Sequence, residues 1–145
     1  MANIQSANMK GQVPSPAITG AEAFPVRATI TLASFATTSV YEMLSIPVGA
    51  RVVDWTVDID DIDEGTAAVF KVGVLNAGKS DLDSGNAVWK TGLTTGQAGG
   101  VARMDTLTAL RAGVATAERV VGIIPTTAAG TFAAGVMGIT VWLSA

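Results

Sequence analysis

From residue 26 onward, apolar and polar side chains alternate in short runs that are rich in β-branched and aromatic residues. Gly, Pro, Asp and Asn separate these runs at intervals typical of all-β domains. The clearest run is Arg51–Ile59, where every odd-numbered residue from Val53 to Ile59 is apolar and the alternating positions include Asp54 and Asp58. A period of two predicts a strand that buries one face and turns these aspartates outward.

The same pattern predicts strands along the rest of the chain. They are Val26–Ala33, Val40–Ile46, Arg51–Ile59, Ala67–Leu75, Val88–Thr91, Arg119–Ile124 and Gly135–Leu143. The last of them is almost continuously apolar, which is typical of a strand covered on both faces. The segment Val101–Ala112 is an exception, because its larger side chains recur at spacings of three and four and predict a short helix.

Short strands joined by long connections predict an all-β fold in which two packed sheets bury their apolar faces. We expect a jelly-roll-like β-sandwich that spans residues 26–145. An immunoglobulin-like sandwich is the alternative, although the chain lacks the Cys…Trp…Cys pattern of that fold.

Residues 1–25 differ from the rest of the chain, because prolines and glycines interrupt isolated apolar residues. Proline fixes φ, removes a backbone donor and pushes the residue before it toward extended conformations. We therefore expect an extended N-terminal arm, which is either a disordered tail or a segment that becomes ordered against a neighbouring subunit. In the second case its apolar residues form an interface. These residues are Ile4, Met9, Val13, Ile18 and Phe24.

The three tryptophans receive different predictions. Trp55 and Trp142 lie within apolar strand patterns and are expected in the core. Trp89 stands between Val88 and Lys90 and is expected to be an exposed interface anchor, since Trp is enriched where binding energy is concentrated.

The composition excludes several classes of chemistry. The chain contains neither His nor Cys. A Ser-His-Asp or Cys-His triad, or a zinc site built from His and Cys, therefore cannot form within it. We expect no enzymatic activity, no catalytic residues and no cofactor. A net charge of −3 without a basic stripe argues against nucleic-acid binding. No apolar run approaches the roughly 20 residues that span a bilayer, so we expect no membrane partner.

The charged fraction indicates that other subunits cover part of the surface. Only 14% of residues are charged and 49% are hydrophobic, whereas about 25% charged residues are usual in soluble domains. The centres of protein interfaces are depleted of charge. The composition therefore favours a homo-oligomer over the alternative, which is a small monomer with a large core and a surface of Thr, Ser and Gly.

Two acidic segments are candidates for cation binding. The first, Asp58–Gly65, does not fit an EF-hand loop, because Ile62 stands at the fifth position and Asp63 at the sixth. We expect a turn in which aspartates accept backbone hydrogen bonds and Gly65 adopts a left-handed conformation.

The second acidic segment is a loop that contains Asp81 and Asp83. Gly92 occupies the position at which a calcium loop would need a bidentate Glu. We expect no metal site, and only weak cation binding at the two aspartates stays open.

Three segments resemble the decoration, or cement, proteins of tailed bacteriophage heads. They are Pro47–Asp58, in which a strand follows a Pro-x-Gly turn, Val69–Val74, which ends in Val-Gly-Val, and the loop Asp81–Gly85. The resemblance covers roughly residues 40 to 90, and these motifs are structural rather than catalytic. It implies a jelly-roll protein that binds the outside of an assembled capsid as a dimer or trimer.

The resemblance and the composition together predict a structural virion protein. It would be made in the host cytoplasm and would cement neighbouring subunits of the major capsid protein on the virion exterior. An extended arm suits this task, because it can add a strand to a sheet edge or lie in a groove between neighbours. The alternative is a carbohydrate-binding β-sandwich of a phage tail or fibre, which would use exposed aromatic side chains and loop carboxylates.

Overall fold

The computed structural model describes residues 2–6, 9–10 and 23–144. This part of the chain contains nine β-strands, one α-helix and two 3₁₀-helices. The strands are β1 (Ala2–Gln5), β2 (Phe24–Leu32), β3 (Ser39–Ile46), β4 (Arg51–Ile59), β5 (Val69–Val74), β6 (Val88–Leu93), β7 (Gly100–Arg103), β8 (Arg119–Thr127) and β9 (Gly135–Ser144). The α-helix, α1, is Thr108–Arg111, and the 3₁₀-helices are Gly85–Ala87 and Thr95–Gln97. No helix in the described ranges has the length and apolar character needed to cross a membrane.

Strands β2 to β9 form a jelly roll. One sheet has the order β2-β9-β4-β7, and the other contains β3-β8-β5-β6. The antiparallel pairs β2·β9, β3·β8, β4·β7 and β5·β6 are nested, so the chain from β2 to β9 is one long hairpin ribbon. Strand β4 also pairs with β9, and β5 also pairs with β8, so successive strand pairs of the ribbon lie side by side in the two sheets. The predicted all-β jelly-roll sandwich is confirmed, and the immunoglobulin-like alternative does not have this pairing.

Strand β1 lies outside this ribbon. It pairs in parallel with β3 at the edge of the five-stranded sheet, with Asn3 opposite Val40 and Gln5 opposite Glu42. It belongs to the segment predicted to be an extended arm, and its own sandwich supplies its hydrogen-bonding partner. The division of the chain at residue 25 stays a prediction, because residues 11–22 lie outside the described ranges.

All the strands predicted from the sequence are present. The largest difference in bounds is at the end of β8, which continues from Ile124 through Pro125 to Thr127. The prediction ended at Ile124 because proline cannot donate to a strand ladder. Strand β3 pairs with β8 only as far as Ile123, so β8 has one free side at Pro125 and the missing N–H costs no hydrogen bond there.

The helix predicted over Val101–Ala112 is mostly wrong. Only Thr108–Arg111 is helical, whereas Gly100–Arg103 is strand β7. Pairing of β7 with residues 56–59 of β4 extends the four-stranded sheet, and this long-range contact outweighs the local helical spacing.

Strand β4 has the predicted bounds but not the predicted faces along its whole length. The inward positions from Trp55 to Ile59 are apolar and buried, as predicted. Toward the start of the strand, the register with β9 skips Val53, which marks a β-bulge. The extra residue reverses the alternation, so Val52 is the buried residue at that end.

The core lies between the two sheets and contains stacked aromatic side chains. Trp55 of β4 stacks on Trp89 of β6 with 6.0 Å between ring centroids and 20° between ring planes. Phe70 of β5 meets Phe35 edge-on at 6.2 Å and 86°. Because β4 and β6 belong to different sheets, the tryptophan pair connects the two layers directly.

A buried carboxylate joins the loops at one end of the sandwich. Asp63 accepts hydrogen bonds from the backbone N–H groups of Gly65, Ala67, Ala68 and Thr131 at 2.8–3.1 Å. The Thr131 amide, with the other three, holds the pKa of Asp63 far below its ordinary value of 3.8, although desolvation opposes ionisation. The ionised side chain therefore ties the loop before β5 to the loop before β9.

We predict that Asp63→Asn lowers the melting temperature by several degrees at neutral pH, because the amide provides one acceptor oxygen and no charge for four backbone donors. Because the pKa of Asp63 is lower in the folded state, its ionised carboxylate stabilises the fold fully at pH values above the ordinary pKa of 3.8. This stabilisation decreases as the pH falls below that value. The difference in melting temperature between the two proteins should therefore shrink in acid.

Thermal unfolding followed by circular dichroism from pH 7 to pH 3 measures this difference. The exposed Glu64→Gln is the matched control and should melt like the unmodified chain. A difference for Asp63→Asn that stays constant across this range, or that equals the control's, would contradict the role given to Asp63.

Candidate interaction surfaces

The acidic segment Asp58–Gly65 is the end of strand β4 followed by the loop that leads to β5, as predicted. Asp60 accepts a hydrogen bond from the Val136 N–H at 2.7 Å, and Asp61 accepts one from the Asp63 N–H at 3.3 Å. The prediction of a left-handed Gly65 is wrong. The Asp63 carboxylate holds this turn by accepting the Gly65 N–H, and it does so without a positive φ.

The second acidic loop carries ion pairs. Asp81 accepts a hydrogen bond from Lys71 Nζ at 2.5 Å, and this bond lowers the pKa of Asp81. Asp83 accepts one from Arg119 at 2.9 Å. Within the ranges that the structure describes, no group of three or more acidic, His or Cys side chains is arranged to hold a metal ion.

The predicted arm residues lie partly against the chain's own body. Ile4 and Phe24 are half-buried and pack against the main core. Met9 is also half-buried, and its Sδ accepts a hydrogen bond from Ser45 Oγ at 3.6 Å. Val13 and Ile18 lie outside the described residues. A contact of these residues with another subunit stays a prediction.

Two tryptophan predictions are wrong. The Trp89 side chain is 1% exposed, because it stacks on Trp55 between the sheets, so it is not an exposed anchor. Trp142 is 39% exposed rather than buried. The sequence around Trp142 is apolar on both sides of the strand, and this pattern does not reveal that one face of β9 is open.

A buried glutamate attaches strand β1 to the sandwich. Glu42 of β3 accepts hydrogen bonds from Asn3 at 3.0 Å and Gln5 at 3.4 Å, and it forms an ion pair with Lys79 at 3.0 Å. Burial opposes ionisation of this carboxyl group, but its three partners outweigh that effect and lower the pKa of Glu42. The charge of Glu42 therefore stabilises the docking of β1.

The outer face of the four-stranded sheet carries an ion pair at its centre. Arg27 donates hydrogen bonds to both oxygens of Asp58, at 2.5 and 2.8 Å, and a third to Thr140 at 3.1 Å. The bonds from Arg27 lower the pKa of Asp58. The pair crosses β9 above Gly138, where an added Cβ would lie 2.7 Å from the guanidinium. Glycine therefore allows the ion pair to lie flat against the sheet.

Apolar side chains surround this ion pair. Val136 and Trp142 stand on the outward positions of β9, and Val101 stands on β7. Each is between 39% and 58% exposed. The result is a mixed face, with apolar groups beside a compensated charge pair.

A second exposed apolar group lies at one end of the sandwich. We name it the end patch, and it consists of Val48, Leu107, Leu110 and Val114, which are between 45% and 63% exposed. Backbone hydrogen bonds of Ala115 with residues 49 and 50 join the β3–β4 loop to the segment after α1. The spacing of Leu107 and Leu110 in the sequence predicts only a short helix, and it does not predict this surface.

Chains of phage capsids have similar structures. A chain of the capsid of Ralstonia phage GP4 is 27% identical to this chain with a TM-score of 0.80, and the match covers 99% of this chain and 97% of that one. A chain of the cyanophage Pam1 capsid asymmetric unit is 18% identical with a TM-score of 0.61, and the match covers 91% of each chain. No protein-family model and no curated protein sequence matches this chain. The structural similarities support a structural protein of a phage virion.

We predict that Glu42→Gln speeds amide exchange in residues 2–6 at least about fivefold, because a hydrogen bond to a charged group contributes roughly 1.5–3 kcal/mol. Hydrogen–deuterium exchange with mass spectrometry measures this rate, and exchange in β4 and β9 should change little. Glu118→Gln is the matched control, since Glu118 is exposed and its carboxylate accepts a hydrogen bond from Ser45 rather than from β1. Equal protection of residues 2–6 in Glu42→Gln and in the unmodified chain would contradict the role of Glu42.

Proposed function

We propose that this chain is a decoration protein that binds the outside of an assembled phage capsid and cements neighbouring major capsid subunits. One observation carries the proposal, namely the near full-length similarity to a chain of the Ralstonia phage GP4 capsid. The match covers 99% of this chain and 97% of that one, so the similarity extends over nearly the whole of both chains.

The end patch is the surface that we assign to the shell. Its four large aliphatic side chains are between 45% and 63% exposed, and none of them belongs to the core between the sheets. Several exposed aliphatic side chains at one end of a small domain are typical of a binding site. The loops that carry this patch are fixed to each other by the hydrogen bonds of Ala115, so the patch is ordered before binding.

The outer face of the four-stranded sheet suits contact between copies of this chain. It presents Val101, Val136 and Trp142 beside the compensated pair Arg27–Asp58, so little net charge opposes close approach. A dimer or trimer on the capsid would multiply a modest contact energy for each subunit. Binding to the assembled shell in preference to free subunits stabilises the shell by mass action.

The arm would extend this attachment. Strand β1 is bound at a sheet edge by four residues and by Glu42, and no other strand of the described residues pairs with its outer edge. A partner segment could add to that edge. We place the chain on the virion exterior after synthesis in the host cytoplasm, and we propose no enzymatic activity.

Little favours the carbohydrate-binding alternative. Among the described aromatic residues, Trp55, Trp89 and Tyr41 are at most 1% exposed. The loop carboxylates Asp81 and Asp83 already pair with cationic side chains. Trp142 alone offers an accessible indole ring in the part of the chain that the structure describes.

We predict that the double variant Val48→Asp, Val114→Asp binds capsids at least about tenfold more weakly, because each change puts a charge where an aliphatic side chain would be buried. The measurement is co-sedimentation of purified protein with phage heads that lack it. Both valines are exposed, so the double variant should fold, and circular dichroism checks this.

Val101→Asp is the matched control for this experiment, since Val101 is equally exposed but lies on the sheet face. The Val101→Asp variant should bind phage heads more tightly than the double variant does. Full binding by the double variant would overturn the assignment of the end patch. Failure of the unmodified chain to bind heads of any phage in which it is encoded would overturn the proposed function itself.

A further inference from the structure

A cavity opens at the same end of the sandwich as the end patch. Its volume is about 390 Å³, which lies in the range of small-ligand sites. The floor is apolar and comes from the ends of β3, β4, β5 and β6, where Ile46, Val52, Val74 and Trp89 line it. The other lining residues are mixed, with the charged and polar side chains Arg51, Asp83, Ser84, Asn86, Thr116 and Arg119 beside Ala50, Ala87 and residues 112–115.

A buried donor on the floor lacks a partner. The indole N–H groups of Trp89 and of Trp55, which stacks on it, are both buried and have no hydrogen-bond acceptor among the described residues. Buried polar groups are almost always hydrogen-bonded in folded proteins. Trp89 lines the cavity, so its indole signal reports on a ligand that binds there.

The charges around the cavity favour an anion with a single charge. Asp83 and Arg119 line it and neutralise each other through an ion pair of 2.9 Å. Arg51 also lines it and has no charged partner in the ranges that the structure describes. The lining therefore carries a net charge of +1 in a chain whose net charge is −3. A guanidinium can bind both oxygens of a carboxylate at once.

We propose that this cavity binds a carboxylate carried on a short apolar stem, with the carboxylate at Arg51 and the stem against the floor. The source is either a free organic acid or an acidic side chain of a partner polypeptide, and both present the same chemistry. The site does not depend on the proposed capsid role, since its walls belong to one chain.

Nuclear magnetic resonance of the ¹⁵N-labelled full chain tests the site, because the indole N–H signals of the tryptophans are resolved from the backbone. Hexanoate should shift the Trp89 indole signal in a saturable manner, and hexan-1-ol should bind at least about tenfold more weakly because it lacks the charge that Arg51 recognises. The signals of Trp55 and Trp142 should move less, since neither residue lines the cavity.

Variants of exposed arginines separate specific binding from general attraction. Arg51→Gln should weaken hexanoate binding at least about tenfold, as expected from loss of a paired guanidinium. Arg103→Gln is the matched control, because Arg103 is exposed and does not line the cavity, and it should bind like the unmodified chain. Each variant is folded if, without ligand, its Trp55 and Trp142 indole signals lie at the same positions as in the unmodified chain.

The source of the carboxylate is distinguished with a second probe, the capped tripeptide N-acetyl-Leu-Asp-Leu-amide, compared with its Asn analogue. Preferential binding of the Asp peptide supports a polypeptide partner, and binding of hexanoate alone supports a free acid. The proposal would be overturned if neither probe shifted the Trp89 signal. It would also be overturned if Arg51→Gln bound hexanoate as tightly as the unmodified chain. Capsid binding is measured separately, so either proposal can fail without the other.

Discussion

Face-to-face packing of two sheets is the interaction on which the rest of this structure depends. The ribbon from β2 to β9 folds so that each sheet takes its strands from distant parts of the chain. Neither sheet can bury its apolar face alone, so they form together. The Trp55–Trp89 stack joins the layers, and without cysteine no disulfide assists them. A chain of 145 residues buries enough surface for such a core to suffice.

This packing decides which surfaces remain for partners. Most apolar residues of the strands are buried between the two sheets. The outer face of the four-stranded sheet also carries charged side chains, namely the ion pair of Arg27 with Asp58. The loops at one end then carry aliphatic side chains that the core does not use. The end patch and the cavity beside it are therefore products of the same arrangement, in which rigid strands fix the positions of exposed loops.

The sequence predicts the strands well where local pattern and long-range pairing agree. Arg51–Ile59 has both its predicted bounds, because its alternation matches a strand that buries one face. The bulge at Val53 was not predictable, since it depends on the register with β9. Strand β7 was missed for a similar reason, because its pairing with β4 overrides a helical spacing.

The candidate surfaces were harder to predict than the fold. Burial of Trp89 depends on where β6 lies relative to β4, and no local pattern carries that information. The half-exposed Trp142 lies in a strand that is apolar on both faces, so sequence alone predicts a core position. The parallel pairing of β1 with β3 is likewise stabilised by Glu42, a charged residue that local pattern would assign to solvent.

The most direct test of this account is a cryo-electron microscopy reconstruction of the virion that contains the chain. The account predicts jelly-roll density on the outer surface of the capsid, over joints between major capsid subunits, with the Val48–Val114 end directed at the shell. Density for this chain inside the shell, or in the tail alone, would contradict it.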